Sequence, residues 1–283
     1  MEKIPCSVPI LTLNSEKFLG RCLESLRDFG DVFLLDGNSA DGTVRIANEF
    51  GIPAYAQSET DEKNVPIRNF SAVRARAVSL CRHDWILLVD SDEFLAEGLA
   101  DEIRVALEQN DERTIFYIQK KYSIGEKRIE RAFNYPNYYP RLHNRTSGAQ
   151  FKAGKLVHEQ MQIPADVIKI YLSGWVWSEV PPTYRACVAK DAFQLNLMKQ
   201  STFARESFQN RMHSFRMSVV YFLRAVKILF RSLIISMHGG QGVSLPIGQV
   251  LRHVRVHLIM SYWRALQCFF GAKAAKRYAT AGR

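Results

Sequence analysis

The stretch LLVDSDEF, residues 87–94, brings three carboxylates together directly after an apolar run. Asp90, Asp92 and Glu93 repel one another on one short turn unless a cation lies among them. Mg²⁺ and Mn²⁺ prefer oxygen ligands and commonly share them with substrate phosphates. The alternative is a solvated helix N-terminus, where the helix dipole favours Asp and Glu. Taken alone, the stretch fits a metal site and a helix cap about equally well.

The segments around this stretch alternate between strand and helix patterns. Apolar runs predict strands at 8–13, 31–36, 52–56, 84–89, 114–122 and 169–176, and apolar residues at helical spacing predict helices at 16–29, 43–50, 69–81, 97–108 and 184–217. The alternation predicts an α/β fold with a mostly parallel sheet flanked by helices on both faces. Ligands bind beyond the carboxyl ends of the strands in such sheets. We therefore expect Asn14, Asp36 and Asp90 to be neighbours in space.

Charge is distributed unevenly along the chain. Residues 201–283 contain 13 Lys and Arg and a single acid, Glu206, for a net charge of +12, whereas residues 1–200 contain 25 Lys and Arg and 27 Asp and Glu, for a net charge of −2. This asymmetry indicates an anionic partner for the C-terminal part, either a membrane or a nucleic acid. The five cysteines are scattered and form no CxxC pair. Neither a zinc knuckle nor a disulfide framework is therefore indicated, and a reducing cytosol fits best.

Four segments occur in order at the predicted strand ends: VPILTLN at 8–14, VFLLDGNSADGT at 32–43, RN at 68–69 and WILLVDSDE at 85–93. This ordered set resembles the family-2 type glycosyltransferases with the GT-A fold, whose sheet is Rossmann-like and binds a nucleotide. The later segment PRLHNRTSGAQFKAGKLVHEQM, residues 140–161, resembles a block of the bacterial lipopolysaccharide-core β-glucosyltransferase-like branch. The resemblance covers roughly residues 5–180.

The resemblance implies a role for each matching residue. It implies that the donor nucleotide is bound by Thr12, Asn14, Asp36, Ser39, Asp41, Arg68 and Asp90. Asp92 would bind a divalent metal, Mn²⁺ or Mg²⁺, with His158 as a possible further ligand. Glu159 is the first choice for the general base that takes the acceptor proton, and Glu93 is the second. Arg141 and Lys155 are candidates for contact with phosphate or acceptor.

Each of these residues also has an ordinary structural interpretation. Asp36 is a typical turn-former after a strand, and Arg68 is a typical surface ion-pair partner. His158 fits a hydrogen-bonded histidine in a loop, and Arg141 and Lys155 fit solvated charges. Sequence alone does not show the pKa perturbations that would favour a catalytic role.

The C-terminal part predicts two long helices. Residues 219–237 are long enough to consider a membrane span, but Arg224, Lys227 and Arg231 interrupt the apolar run at i, i+3 and i+7, on one helical face. This pattern predicts an amphipathic helix in the membrane interface. A glycine-rich hinge at 238–246 and a second helix at 247–271 follow. The alternatives are packing of the apolar faces on the preceding domain and, less favoured, nucleic-acid binding.

These observations predict a GT-A catalytic domain at residues 1–182 and a basic, helical, membrane-associating region at 183–283. We expect an inverting, metal-dependent hexosyltransferase that moves glucose from a UDP-sugar to a bacterial surface glycan or its lipid-linked precursor. It would be cytoplasmic and peripheral on the inner membrane, with no nucleic-acid partner. The alternatives are a non-catalytic membrane adaptor that retains the fold and a sugar-nucleotidyltransferase of related fold.

Overall fold

The computed structural model describes residues 2–67, 69–151, 161–181, 183–186, 188, 191–192, 195–196, 199, 209–237 and 243–280. The chain forms two compact units. The first contains residues 1–123 and 136–179, and the second contains residues 124–135 and 180–283. The second unit therefore also includes residues 124–135, which lie within the region 1–182 that we expect to be catalytic.

The strands are β1 Ile4–Thr12, β2 Phe29–Asp36, β3 Ala54–Ala56, β4 Trp85–Leu87, β5 Glu93–Leu95, β6 Thr114–Ile124, β7 Lys127–Ile129, β8 Tyr138–Asn144, β9 Gln150–Phe151, β10 Met161–Gln162 and β11 Ile168–Glu179. The α-helices are α1 Glu16–Glu24, α2 Thr43–Glu49, α3 Phe70–Leu80, α4 Leu99–Gln109, α5 Gln209–Met237 and α6 Ile247–Thr280. A single 3₁₀ turn at Arg145–Ser147 lies among the described elements.

Eight strands of the first unit form one sheet in the order β3-β2-β1-β4-β8-β6-β11-β5. The first four run parallel to one another. Strand β8 is antiparallel to β4 and β6, β6 is parallel to β11, and β5 is antiparallel to β11. The predicted α/β class is confirmed. The four strands nearest the N-terminus of the chain, β1 to β4, form the continuous parallel part of the sheet.

Helices cover both faces of this sheet because its strand residues alternate in direction. Val32 and Leu34 of β2 belong to a core cluster that includes residues of α1, α2 and α4. Phe33 and Leu35 belong to a second cluster formed with α3. The continuous apolar run of β2 is thus explained by burial on two sides.

Helix α1 ends earlier than its apolar pattern predicts. The spacing extends the helix to residue 29, but α1 ends at Glu24, and Phe29 already pairs with Ile4 at the start of β2. Leu26 and Phe29 are buried in the core nonetheless. Leu26 and Phe29 are apolar because they are buried in the turn and in the next strand. Apolar spacing alone does not distinguish such residues from the last turns of a longer helix.

The second unit contains the two predicted C-terminal helices, both longer than their patterns indicate. Helix α5 begins ten residues before the predicted start at 219, and α6 extends beyond residue 271 to Thr280. Of the helix predicted at 184–217, 16 of 34 residues lie outside the described part of the chain, and the described ones are helical, with 209–217 forming the start of α5. Residues 238–242 of the predicted hinge also lie outside it. Within the described part of the chain, no helix is long and apolar enough to cross a membrane.

The buried His143 on β8 predicts a pH dependence of stability. Its ring is 2% exposed, and burial lowers its pKa from 6.5 to about 4. Between these pH values the unfolded chain binds a proton that the folded chain does not. The free energy of unfolding therefore falls as pH drops from about 6.5 towards 4, by up to about 1.4 kcal/mol per pH unit.

We expect His143→Leu to lose this contribution, so that its stability changes less between pH 7 and pH 5 than that of the wild type. Thermal or urea unfolding at both pH values measures the difference. The exposed His213 provides the control, because His213→Leu should keep the wild-type pH dependence. Equal pH dependence in wild type and His143→Leu would contradict the assignment.

Candidate active site

The ends of β1 and β2 are joined by a hydrogen-bonded carboxylate. Thr12 and Asp36 are register partners, and the Thr12 hydroxyl donates to Asp36 Oδ1 at 2.8 Å. Ser39 donates through its backbone N–H to Asp36 Oδ2 at 2.7 Å and through its hydroxyl to Oδ1 at 2.6 Å. Asp36 is 4% exposed. These bonds orient a buried carboxylate at the carboxyl edge of the sheet.

The chain can turn sharply after Asp36 because the next residue has no side chain. A Cβ on Gly37 would lie 2.5 Å from the carbonyl oxygen of Val65. The Val65 N–H also donates to the Gly37 carbonyl at 2.7 Å. Glycine at this position allows the 57–65 loop to pack against the end of β2.

Asn14 extends the same network from the end of β1. Its backbone has a positive φ of 50°, a conformation that asparagine tolerates better than most residues. Its N–H donates to the Ser39 hydroxyl at 2.8 Å, and its side-chain oxygen accepts from the Ala40 N–H at 3.0 Å. Asn14 and Ser39, both predicted to bind the donor, are therefore adjacent.

Asp41 has a local structural task in this turn. Its Oδ1 accepts from the N–H and the hydroxyl of Thr43 at the start of α2, and its Oδ2 accepts from the N–H of Glu16. Burial opposes its ionisation, but these hydrogen bonds outweigh burial and lower its pKa. Asp41 thus connects the starts of α1 and α2, and its contact with a donor stays a prediction.

A pair of serine hydroxyls joins this network to the carboxylate turn after β4. Ser15 and Ser91 lie 2.9 Å apart at Oγ. Ser15 occupies the N-cap position of α1, but its side chain makes no capping hydrogen bond. The hydroxyl instead bridges the chain between β1 and α1 to the centre of the DSD sequence. The ends of three adjacent parallel strands are therefore held together by side chains.

Asp90 is paired with a buried arginine. Arg74 of α3 is 6% exposed, and its Nη2 lies 3.0 Å from Asp90 Oδ1. The Asp90 side chain is half exposed, so it is accessible to a ligand as well. Asp92 is partly buried, and its carbonyl accepts from the Glu179 N–H at 2.8 Å, which fixes the turn against the end of β11.

Glu93 points into the protein and forms a buried ion pair. Its carboxylate accepts two hydrogen bonds from Arg141 at 2.6 and 2.8 Å and lies 2.9 Å from Lys120 Nζ. Burial opposes ionisation of Glu93, but Arg141 and Lys120 outweigh it and lower its pKa to about 2. A fully buried carboxylate with such a pKa is a poor proton acceptor, and this placement disfavours Glu93 as the general base.

The same pair changes the interpretation of Arg141. The sequence suggested contact with phosphate or acceptor, but Arg141 is 7% exposed and its guanidinium is held by Glu93 and by the Leu88 carbonyl. Together, Arg74, Lys120 and Arg141 bring three positive charges to a turn with three carboxylates. These protein cations offset much of the negative charge of the turn, so the turn does not need a metal for that purpose.

Several predicted site residues lie outside the described part of the chain. These are Arg68, Lys155, His158 and Glu159. Among the described residues, no group of three or more His, Cys, Asp and Glu side chains is placed to hold a metal ion. Asp90 is half exposed and Asp92 is partly buried. Their carboxylates are of the kind that Mg²⁺ and Mn²⁺ bind, so the donor set fits such an ion bound jointly with a substrate phosphate.

Arg74, Lys120 and the pair Ser15–Ser91 were not predicted from the sequence. The position of Arg74 could have indicated its role. It lies with Ser71 and Ala77 on the buried side of α3, where a cation needs an acidic partner. Lys120 belongs to β6, and no local pattern indicates that it meets Glu93. The contact of Ser15 with Ser91 depends on the order of the strands in the sheet.

The chain belongs to glycosyl transferase family 2, because the model of that family matches residues 7–161, more than half of the chain. This confirms the family predicted from the ordered segments. The lipopolysaccharide core biosynthesis glycosyltransferase LpsC of Rhizobium meliloti (strain 1021) is 29% identical over 127 residues, which cover 44% of this chain and 45% of that protein.

An uncharacterized glycosyltransferase of Rickettsia felis (strain ATCC VR-1525 / URRWXCal2) is 34% identical over 119 residues, covering 41% of this chain and 38% of that protein. The chain thus spans less than half the length of these curated relatives. The crystal structure of S. aureus TarS 1-349 in complex with UDP is 14% identical, with a TM-score of 0.46, and the match covers 99% of this chain and 92% of that one. That likeness is too distant to carry an argument about function.

The buried pair at Glu93 predicts a large loss of stability when its charge is removed. In Glu93→Gln, the buried Arg141 and the partly buried Lys120 are left with a neutral partner. We expect the free energy of unfolding at pH 7 to fall by roughly 3–5 kcal/mol, as for other broken buried pairs. Because the pKa of Glu93 is lowered from 4.5 to about 2, its stabilisation is present above pH 4.5 and is lost as pH falls towards 2.

Urea unfolding of wild type and Glu93→Gln measures this cost. The control is Glu108→Gln, which changes an exposed glutamate on α4 and should leave stability within about 0.5 kcal/mol of wild type. A cost below about 1 kcal/mol for Glu93→Gln would show that the pair is not needed for the fold.

Proposed function

We propose that the protein is an inverting, metal-dependent glycosyltransferase that transfers a hexose, most plausibly glucose, from a UDP-sugar to a hydroxyl group. The observation that carries the proposal is the network that joins three strand ends within a family 2 domain. In that network Asp36, Asn14 and the turn containing Asp90 and Asp92 are connected through serine and threonine hydroxyls. The arrangement supports binding of a nucleotide beyond the carboxyl edge of the sheet.

The nucleotide end of the donor would meet Asp36. An ionised carboxylate offers about four lone-pair sites, and three hydrogen bonds from Thr12 and Ser39 occupy most of them. A donor group on the base or ribose can use the remaining site. Because both oxygens are fixed, the carboxylate pays little conformational entropy when it binds. Arg68 would approach the diphosphate from the start of α3.

Asp92 and Asp90 would hold the metal together with the diphosphate, with His158 as a possible further ligand. When bound, the metal offsets negative charge on the departing nucleoside diphosphate. The buried pair of Glu93 and Arg141 would act indirectly, by fixing the turn from which Asp92 projects. Lys155 would contact phosphate or acceptor.

Inversion at the sugar carbon requires one base for the acceptor hydroxyl. The acceptor oxygen attacks the anomeric carbon, its proton moves to the base, and the bond to the diphosphate breaks. Glu159 is the residue we propose for this proton transfer. The burial and low pKa of Glu93 support this choice over the alternative.

The proposed acceptor is lipopolysaccharide or another bacterial surface glycan precursor. The name of the relative from Rhizobium meliloti supports this class, since that protein is described as acting in lipopolysaccharide core biosynthesis. Such acceptors are lipid-linked, which agrees with a peripheral location on the cytoplasmic face of the inner membrane. The competing functions are a membrane-surface adaptor without catalysis and a sugar-nucleotidyltransferase.

Calorimetric titration with UDP and with GDP, each with and without Mn²⁺, tests the donor site. We expect UDP to bind only with Mn²⁺, and we expect Asp92→Asn to abolish both this binding and sugar transfer while leaving the fold intact. Asp101→Asn is the matched control, because Asp101 is an exposed aspartate on α4. UDP binding that is equally strong without Mn²⁺, or unchanged turnover in Asp92→Asn, would refute the proposed role of the metal. Absence of any nucleotide binding would favour the non-catalytic adaptor.

Glu159→Gln separates proton transfer from donor binding. We expect the rate constant of transfer to fall by about 10²–10⁴-fold, the usual contribution of a general base, while the Kd for UDP with Mn²⁺ stays near the wild-type value. Single-turnover transfer and calorimetry measure the two quantities. A variant that transfers at the wild-type rate would exclude Glu159 as the base.

A further inference from the structure

Helices α5 and α6 form a hairpin that buries polar side chains as well as apolar ones. Ser214 donates to Gln267 at 2.9 Å, and the hydroxyl of Ser218 lies 3.2 Å from that of Ser261, each also donating to the other residue's carbonyl. Ala225, 1% exposed, continues this stripe along α5. The pairing of 214 with 267 and of 218 with 261 shows that the helices run antiparallel.

Large apolar side chains lie on the outside of this hairpin. We define its apolar face by six of them, which are 42–63% exposed: Phe222, Val226 and Phe230 on α5, and Leu251, Leu258 and Tyr262 on α6. A helix pair that is stable in water normally places such side chains between the helices. The hairpin buries aliphatic residues such as Ile228 and Val254, yet these six aromatic and aliphatic side chains remain on its outside.

The apolar residues of both helices lie on the same side of the hairpin. Successive helical residues are about 100° apart, and on each helix the apolar stripe follows the buried stripe at a similar rotational offset. Two antiparallel helices with equal offsets present those stripes on one side. A recess of about 360 Å³, lined in part by Leu229 and Leu233 of α5 and by Ile247 of α6, connects the two stripes at one end.

The charge of the hairpin has one sign. Residues 209–280 contain eleven Lys and Arg and no Asp or Glu. On α5, Arg224, Lys227 and Arg231 are exposed, and their angular positions place them on the side away from the apolar face. An exposed apolar face backed by cations is the pattern of a helix that lies in the interface of an anionic bilayer.

We propose that the apolar face of the α5–α6 hairpin binds the surface of an anionic lipid bilayer, entering it to the depth of the acyl boundary without crossing it. The exposed apolar face and the cations on the other side of α5 favour an anionic bilayer as the occupant of this face. A second copy of the chain is disfavoured as the occupant, because it would bring two strongly cationic hairpins together.

The inference rests on the peripheral membrane location proposed above but not on the transfer reaction. Its test is flotation of the full chain with vesicles of phosphatidylcholine alone or mixed with phosphatidylglycerol, without donor or acceptor. We expect binding to the mixed vesicles, weakened by salt. The double variant Phe222→Gln/Phe230→Gln should lower partitioning by at least about tenfold, since two exposed aromatic side chains lose their contact with the bilayer.

The matched control is Val105→Gln/Ile168→Gln, which removes two apolar side chains that are 45% and 51% exposed in the first unit. This control should bind vesicles as the wild type does. Asp92→Asn should also bind them normally, so a failure of the membrane proposal can be distinguished from a failure of the transfer proposal. Arg224→Gln/Lys227→Gln should weaken binding only to the anionic vesicles. Absence of vesicle binding, or light scattering that shows a dimer dissociated by Phe222→Gln/Phe230→Gln, would overturn the proposal.

Discussion

The arrangement of the candidate site depends on the buried ion pair between Glu93 and Arg141. Glu93 is the last carboxylate of the DSDE sequence and the first residue of β5, and it has no exposed surface. Two hydrogen bonds to Arg141 and one ion pair to Lys120 compensate for its burial. Since β5 is antiparallel to β11 from this residue onward, the same carboxylate fixes both the end of the turn and the start of the next strand.

Because of this ion pair, the three neighbouring carboxylates have different roles. Glu93 is directed inward and Asp90 is held by Arg74, whereas Asp92 lies on the partly exposed segment between them. Electrostatic repulsion within the cluster is reduced by cations from α3, β6 and β8. A metal is therefore not needed to make the turn stable, and its proposed place at Asp92 follows from the substrate charge it would offset. The site can be assembled before either metal or donor arrives.

The parallel strands and the proximity of Asn14, Asp36 and Asp90 were predicted from the sequence, because the carboxyl ends of parallel strands share one edge of a sheet. The order of the strands in the sheet was not predicted. The family was also recognisable, since its segments keep their order along the chain. The pairing of Arg141 with Glu93, 48 residues away, was not predicted, because no local pattern assigns one acid to one cation across a sheet. The end of α1 was misplaced for a related reason. Leu26 and Phe29 are buried by tertiary contacts, and their positions in the sequence happen to match the apolar spacing of a helix.

The two units bury polar groups for different reasons, and the contrast bears on how the protein would work. In the first unit, buried charge fixes the geometry of a turn. In the α5–α6 hairpin, buried hydroxyls lie beside buried aliphatic residues, and further large apolar side chains are exposed on the outside. Contact of those side chains with another apolar phase would stabilise this arrangement. If that phase is the bilayer that holds a lipid-linked acceptor, enzyme and acceptor are confined to one surface. Confinement would raise their effective concentration without any added contact between them.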